Sequence, residues 1–344
     1  MDSQEIVQTI IKNEHFIISS HQNIDGDGLG SMIALYAILF NQSKNVVMLY
    51  DETVPYFYHY LPFIEQIKPV SSITNQVNFK NAVFFVVDCS NPQRLGLPQQ
   101  LLEKCKTVIN IDHHPDNSSF GDLNYVVPNY PSTTILIYQL VKELGEKIDR
   151  NIATGLLTGL ITDTGGFQYT ELNSTLLPII EELTAAGASV ASIMRYVFKY
   201  RRQEALKLLG VALNHLYYDP HANFGVIYHL QDDFRACGAT EEDAEGIVDY
   251  GLYIPGSEIS VFIREVDRDN FKISLRSQGQ RNILPLAHFF EGGGHHKAAG
   301  FKLKGNFLSV RQTVTDCIRQ YLISPEEFEN TNSSKIRANV GRNS

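Results

Sequence analysis

Four apolar runs in the first half of the chain each lead into a carboxylate, and no other feature constrains the fold as much. Residues 15 to 20 (HFIISS) lead to His21 and Asp25, 82 to 87 (AVFFVV) to Asp88, 107 to 111 (TVINI) to Asp112, and 159 to 162 (GLIT) to Asp163. The first three read as strands, whereas the fourth reads equally as strand or helix. One Asp after a strand is ordinary turn chemistry. Four in order along the chain point to side chains gathered at the C-terminal edge of an α/β sheet, the edge where such sheets bind ligands.

The donor atoms at these ends suit a divalent transition metal. The third run ends in Asp112-His113-His114, and the first is followed by His21 and then Asp25-Gly26-Asp27-Gly28-Leu29-Gly30. The glycines allow a tight turn from strand to helix. In an extended or turning segment Asp25 and Asp27 project to one side. Imidazole and carboxylate with no thiol nearby fit Mn, Fe or Zn better than Ca. Taken alone, Asp-His-His is a polar strand end with a histidine bonded to a carbonyl, so the metal reading rests on the matching donors of the other runs.

The segments 20 to 31 (SHQNIDGDGLGS), 86 to 88 (VVD), 111 to 117 (IDHHPDN) and 162 to 167 (TDTGGF) together resemble the DHH phosphoesterase superfamily. Near the C-terminus, residues 292 to 300 (GGGHHKAAG) are similar to the loop of the C-terminal domain that accompanies this catalytic domain in the branch acting on short oligonucleotides and pAp. The resemblance runs from about residue 5 to 322. Ile24 stands where the family usually has Pro, and Leu29 where a small residue is common; neither change removes a donor.

The alternation of strand-like and helical patterns predicts an α/β chain. Strands are expected at 15 to 20, 45 to 50, 82 to 87 and 107 to 111, and helices at 28 to 40 and 131 to 144, giving a parallel sheet with helices on both faces. This catalytic domain is expected over residues 1–180, followed by a helical connector at 181–219. A smaller α/β domain with a mixed sheet is expected over 220–323, and a disordered tail at 324–344. In the second domain, strands are predicted at 224 to 230, 257 to 266 and 270 to 277, and helices at 240 to 250, 283 to 290 and 308 to 321. The stretch from 195 to 207 carries Arg195, Lys199, Arg201, Arg202 and Lys207 against Glu204 alone; it reads either as a solvated helix face or as a surface that attracts phosphates.

A net charge of -9 argues against a protein that coats long nucleic acids. The excess is local: residues 1–180 hold 18 acidic and 10 basic side chains, and bound cations would neutralise part of it. Cys89, Cys105, Cys237 and Cys317 form no CxxC pair, which suggests reduced thiols. No signal peptide or membrane span is expected, and the protein is placed in the cytoplasm. A homodimer is compatible with the sequence.

The resemblance implies roles residue by residue. His21, Asp25 and Asp88 would hold one divalent ion, and Asp27, Asp88, His113 and Asp163 a second, with Asp88 bridging; Mn2+ is the expected metal, with Mg2+ or Co2+ as substitutes. His114 would meet the substrate or donate a proton to the leaving oxygen, and Asp112 would orient an imidazole. Arg94 and Thr134 are candidates for holding phosphate, although Arg94 reads equally as a surface residue. In the second domain Arg276, Ser277, Gly293, Gly294, His295 and His296 would bind the nucleotide. The implied activity is two-metal hydrolysis of very short RNA or DNA oligomers, about two to five nucleotides and including linear dinucleotides such as pGpG, with removal of phosphate from pAp. The alternatives are an inorganic pyrophosphatase, a nucleotide-sensing module without catalysis, and a cyclic dinucleotide phosphodiesterase.

Overall fold

The computed structural model of the chain describes residues 3–72, 79–128, 130–168, 170–294, 296–325 and 328. It divides into two compact units, Met1–Tyr200 and Arg201–Ser344.

In the first unit the strands are β1 (His15–Ser19), β2 (Asn45–Leu49), β3 (Ile67–Lys68), β4 (Val83–Val87), β5 (Thr107–Asp112) and β6 (Leu123–Val126). They form a parallel sheet in the order β3-β2-β1-β4-β5-β6. The order reverses between β1 and β4, and the crevice outside the C-terminal ends of two such strands is where doubly wound sheets bind ligands. β1 runs into His21 and β4 into Asp88, so this topology alone brings two of the expected donors together.

Alternate residues of each strand serve different cores. Phe16, Ile18, Phe85, Val87, Ile109 and Ile111 face α2 (Gly26–Asn41), α3 (Thr133–Glu143) and α4 (Arg150–Asp163), with α1 (Ser3–Lys12) packed at the side through Ile6 and Ile10. Ile17, Leu49, Phe84, Val86 and Val108 face the other way, onto Leu95, Leu97 and Leu101 around the short 3-10 helices Pro92–Arg94 and Gln99–Lys104. Burial on both faces accounts for the continuous apolar runs.

α2 is buried along almost its whole length because it lies between the sheet and α4. The two helices approach so closely that a Cβ on Gly30 would lie 2.3 Å from the Gly155 carbonyl oxygen. α5 (Leu176–Ala185) and α6 (Val190–Met194) complete the unit, and one π-helical turn, Arg195–Lys199, follows α6.

The second unit begins at Arg201, and its first helix is α7 (Gln203–Asn214), so the stretch 181–219 expected as a connector is divided between the units. Its strands are β7 (Tyr217–Asp219), β8 (Phe224–His229), β9 (Ile259–Asp267), β10 (Asn270–Ser277), β11 (Gly293–Gly294) and β12 (Ala298–Lys304), in a mixed sheet ordered β11-β12-β10-β9-β8-β7. Only β8 and β9 pair in parallel. α8 (Gln231–Cys237), α9 (Leu284–Phe289) and α10 (Phe307–Ile323) pack on the sheet.

Two expectations are corrected here. Residues 240 to 250 form not an α-helix but the 3-10 segments Glu241–Ala244 and Ile247–Tyr253, because Gly246 between them adopts a φ of 79° and breaks the helical path. Gly293 and Gly294, expected in an open loop, form the edge strand β11, where Gly293 pairs with Gly300 and Gly294 with Ala299. The tail from 324 lies outside the described residues except Ser324, Pro325 and Phe328, and Phe328 is buried against Phe289 and Tyr321.

Candidate metal centre

The first unit gathers His21, Asp25, Asp27, Asp88, His113, His114 and Asp163 at the switch-point edge of its sheet. Three groups of donor atoms lie within 4.8 Å of one another: His21, Asp25 and Asp88; Asp27, His113 and Asp163; and Asp88, His113 and His114. Asp88 joins the groups. One of its oxygens lies 3.4 Å from His21 Nε2, and the other lies 3.8 Å from His113 Nε2 and 3.7 Å from His114 Nδ1. His113 Nε2 in turn is 3.2 Å from Asp163 Oδ2 and 3.9 Å from Asp27 Oδ2.

Local structure aims each of these groups. Asp88 follows β4 with a φ of 53°, a left-handed conformation that costs energy in a non-glycine residue and recurs at functional sites. Asp25 is the N-cap of α2, accepting from the backbone N–H groups of Asp27 at 2.9 Å and Gly28 at 3.1 Å. Asp27 therefore stands in the first helical turn rather than in an extended loop. Its carboxylate accepts from Thr133 N at 2.6 Å and Thr134 N at 3.1 Å, the start of α3. Asp163 ends α4, which settles the fourth apolar run as a helix.

The two ligand histidines test whether the site suits a cation. His21 Nδ1 donates to the Gln22 carbonyl and His113 Nδ1 to the Tyr130 carbonyl, each at 2.8 Å. That tautomer turns the lone pair of each Nε2 toward carboxylate oxygens. Acceptor then faces acceptor, an arrangement that requires a proton or a metal ion between them. Without a metal the proton takes this place. Burial opposes the charged form of His113, but Asp163, Asp27 and Asp88 outweigh it and raise the pKa to about 10. His21 is likewise raised well above its usual value, against burial, by Asp25 and Asp88.

The acids also reflect crowding. Burial pushes Asp163 up to about 7, with His113 opposing and Asp25 and Asp88 adding to the rise. Burial and the charges of Asp88 and Asp163 hold Asp27 well above the carboxylate range. Asp88 is itself buried, yet its bond to His21 and the surrounding imidazoles drive it far below that range. Buried carboxylates packed this tightly want positive charge, and oxygen and imidazole donors suit a divalent ion. The residues present thus fit a metal. Cys89 does not join them: its Sγ donates to the Asn91 carbonyl, and burial pushes the thiol up to about 12.

His114 is held differently. Its Nδ1 bonds Asp112 Oδ1 at 2.7 Å, and the other oxygen of Asp112 accepts from Asn117 at 2.5 Å. Asn117 also bonds Asn110, whose amide is fixed to the carbonyls of Val86 and Cys89. Arg94 sits beside His21, its carbonyl accepting from Gln22 N. Thr133, which precedes the expected Thr134, takes a part the sequence does not show: its hydroxyl donates to Asp88 Oδ1 at 3.0 Å while its N–H holds Asp27. What the sequence does mark is a helix start, Ser132-Thr133-Thr134 before an apolar run.

In the second unit, Arg276 and Gly294 occupy neighbouring rungs against β12, opposite Ala298 and Ala299. Arg276 Nε lies 3.7 Å from Asp249 Oδ1. The Ser277 hydroxyl is committed to the Arg281 carbonyl at 2.7 Å, and the residue is buried. The carbonyl of His296, an exposed residue, accepts from Ile283 N, and His295 lies outside the described residues.

Fold and site together define a metal-binding α/β enzyme, a hydrolase. Family models described as "DHH family, N-terminal domain" and "DHHA1 domain" match residues 15–160 and 232–322. The chain is 32% identical over 311 residues to a Thermus thermophilus protein named bifunctional oligoribonuclease and PAP phosphatase NrnA, covering 89% of each. A Bacillus subtilis protein of the same name is 26% identical, with 86% of this chain and 91% of that one covered. Among solved structures, an exopolyphosphatase-related protein from Bacteroides fragilis superposes with a TM-score of 0.87 at 27% identity, covering 93% of this chain and 96% of that one. The chain belongs to the DHH family and carries the DHHA1 domain.

Proposed function

We propose that this protein is a metal-dependent phosphodiesterase that cuts very short oligonucleotides, including linear dinucleotides such as pGpG, to mononucleotides and also removes a phosphate from pAp to give AMP. The observation that carries the reading is the sharing of Asp88 between the His21–Asp25 group and the His113–His114 group. The names of the Thermus and Bacillus relatives support the choice of substrates.

His21, Asp25 and Asp88 would hold one divalent ion, and Asp27, Asp88, His113 and Asp163 a second. A pair of such ions supplies Lewis acidity at the phosphoryl group and lowers the pKa of water. Mn2+ suits this set of imidazole and carboxylate donors, with Mg2+ or Co2+ as substitutes. The chain's own contribution is to fix geometry and move protons. Against burial, Asp112 and Asp88 favour the protonated ring of His114; Asp112 holds that imidazolium through Nδ1–H, so Nε2–H is aimed away from Asp112 and gives its proton to the leaving oxygen. The Arg94 guanidinium, whose charge acts on Cys89 next to Asp88, would meet a substrate phosphate.

In the second unit, Arg276 binds a substrate phosphate, with Gly293, Gly294 and the two histidines that follow as further contacts; Ser277, named with them from the sequence, has its hydroxyl bonded to the Arg281 carbonyl. Among the described residues no single helix is long and apolar enough to cross a membrane.

The test is direct. Purified protein is incubated with di- to pentanucleotides, a longer oligomer, pAp and pyrophosphate, with Mn2+ or with chelator. Mononucleotide release from the short oligomers and AMP from pAp, both lost in chelator, are expected. Faster phosphate release from pyrophosphate than from any nucleotide would make the protein a pyrophosphatase, and tight binding of pGpG or pAp without turnover would make it a sensor.

A further inference from the structure

The π-helical turn Arg195–Lys199 and the residues after it read Arg-Tyr-Val-Phe-Lys-Tyr-Arg-Arg, with aromatic side chains interleaved among basic ones. Single π-helical turns are rare and cluster at functional sites. Within the first unit this turn packs against the turn that follows α4. A Cβ on Gly166, in the turn that directly follows Asp163, would lie 2.9 Å from Met194 Cε and 3.4 Å from Phe198 Cε2. The ring of Phe198 therefore borders the turn three residues beyond Asp163, the last residue of α4.

Beneath the exposed rings lies an ordered aromatic base. Tyr196 stacks on Tyr60 with centroids 4.7 Å apart and planes 13° from parallel, and Tyr60 is bonded to Thr158 of α4 at 2.9 Å. The Arg195 guanidinium stands 5.2 Å from the Tyr196 centroid. Tyr200 meets Tyr196 edge-on at 5.6 Å. Above this base Phe198 is 37% and Tyr200 56% exposed, and Arg195 and Lys199 are exposed too. Tyr200 also meets Tyr56 at 6.4 Å, so one side of its ring is braced while the residue remains exposed. Exposed aromatic faces beside cationic side chains are the chemistry of single-stranded nucleic acid recognition, with bases stacking on rings and phosphates meeting the charges.

We infer that the segment from Arg195 to Tyr200 is a stacking platform for a nucleobase of the substrate, with Phe198 and Tyr200 offering ring faces and Arg195 and Lys199 meeting the adjoining phosphates. The inference rests on the oligonucleotide reading and deepens it, since it names the part of the chain that recognises a base rather than a phosphate.

The experiment compares wild type with Phe198→Leu, Tyr200→Leu and the double variant, which keep apolar volume and remove the π-faces. Substrates are a trinucleotide and its counterpart lacking the terminal base, both with Mn2+. Expected for the double variant is a KM raised roughly tenfold on the intact trinucleotide, with kcat unchanged and no change on the abasic substrate; Phe198→Trp restores a low KM when Tyr200 is kept. An unchanged KM on the intact trinucleotide, or an equal rise on both substrates, overturns the platform while leaving the hydrolase reading standing. A wild-type protein that cleaves neither substrate overturns both.

Discussion

Asp88 reaches His21 across the gap between β4 and β1, with 3.4 Å separating Oδ2 from Nε2, and it does so from a backbone held at a positive φ. The contact links the two strands at which the sheet reverses its order; Asp25 and His113 join this pair directly, and Asp27 and Asp163 join it through His113.

Metal binding should release protons. Without metal His113 titrates at about 10, so at pH 8 it holds a proton that an incoming cation must displace. The affinity for Mn2+ is expected to rise as pH climbs toward 10 and to fall more steeply below about 7, where Asp163 also becomes protonated. Calorimetry at pH 8 in buffers of different ionisation enthalpy measures the release directly. A binding enthalpy independent of the buffer would sink this expectation. Asp88→Asn should abolish turnover and weaken Mn2+ binding in the same titration.

Replacing Asp112 should act through His114. Asp112→Asn leaves the ring a partner of the wrong kind, so kcat is expected to fall about 10- to 100-fold. His114→Ala should cost about 10²- to 10⁴-fold. Neither change should alter bound metal, measured by elemental analysis, and a proportional loss of metal would move His114 from proton donor to ligand.

Two glycines should respond in opposite directions to alanine. A Cβ on Gly159 would lie 2.5 Å from Asp27 Oδ1 and 2.4 Å from Thr134 Cγ2, so Gly159→Ala should destabilise the first unit by about 1–3 kcal/mol and lower activity. Gly210, in the middle of α7, has nothing within 4 Å of that position, and Gly210→Ala should stabilise by about 0.5–1 kcal/mol without touching turnover. Denaturant melts of both variants test the pair.

His229 should make the second unit sensitive to acid. The ring is wholly buried against the edges of Phe234 and Phe262, and burial, aided by nearby His215 and opposed by Asp233, pushes its pKa down to about 4. The unfolded chain protonates near 6.5 while the folded chain resists until about 4. Stability from this group is therefore complete above pH 6.5 and drains away as pH falls toward 4, by about 3 kcal/mol in total. His229→Leu should flatten the dependence of stability on pH in that window; an unchanged slope would assign the acid sensitivity elsewhere.

Much of this was legible without coordinates. Strands β1, β4 and β5 announce themselves because both faces are buried, and the carboxylate after each run marks the sheet edge. The second unit was harder to read. Residues 240 to 250 carry a helical composition, but Gly246 interrupts it, and Gly293–Gly294 becomes a strand only because β12 lies beside it. Thr133 escaped notice because its value lies in reaching Asp27 and Asp88, both distant in sequence.

The amino-acid order by itself determined which groups could serve as donors and that His21, Asp88, His113 and His114 would stand at strand ends, since burial pattern and turn chemistry are written in neighbouring residues. Tertiary structure alone decided the strand order that sets β1 against β4, the left-handed backbone at Asp88 and the approach of α3 to Asp27. Those depend on pairings between segments far apart in the chain, where the free energy of packing, and not local preference, chooses the partner.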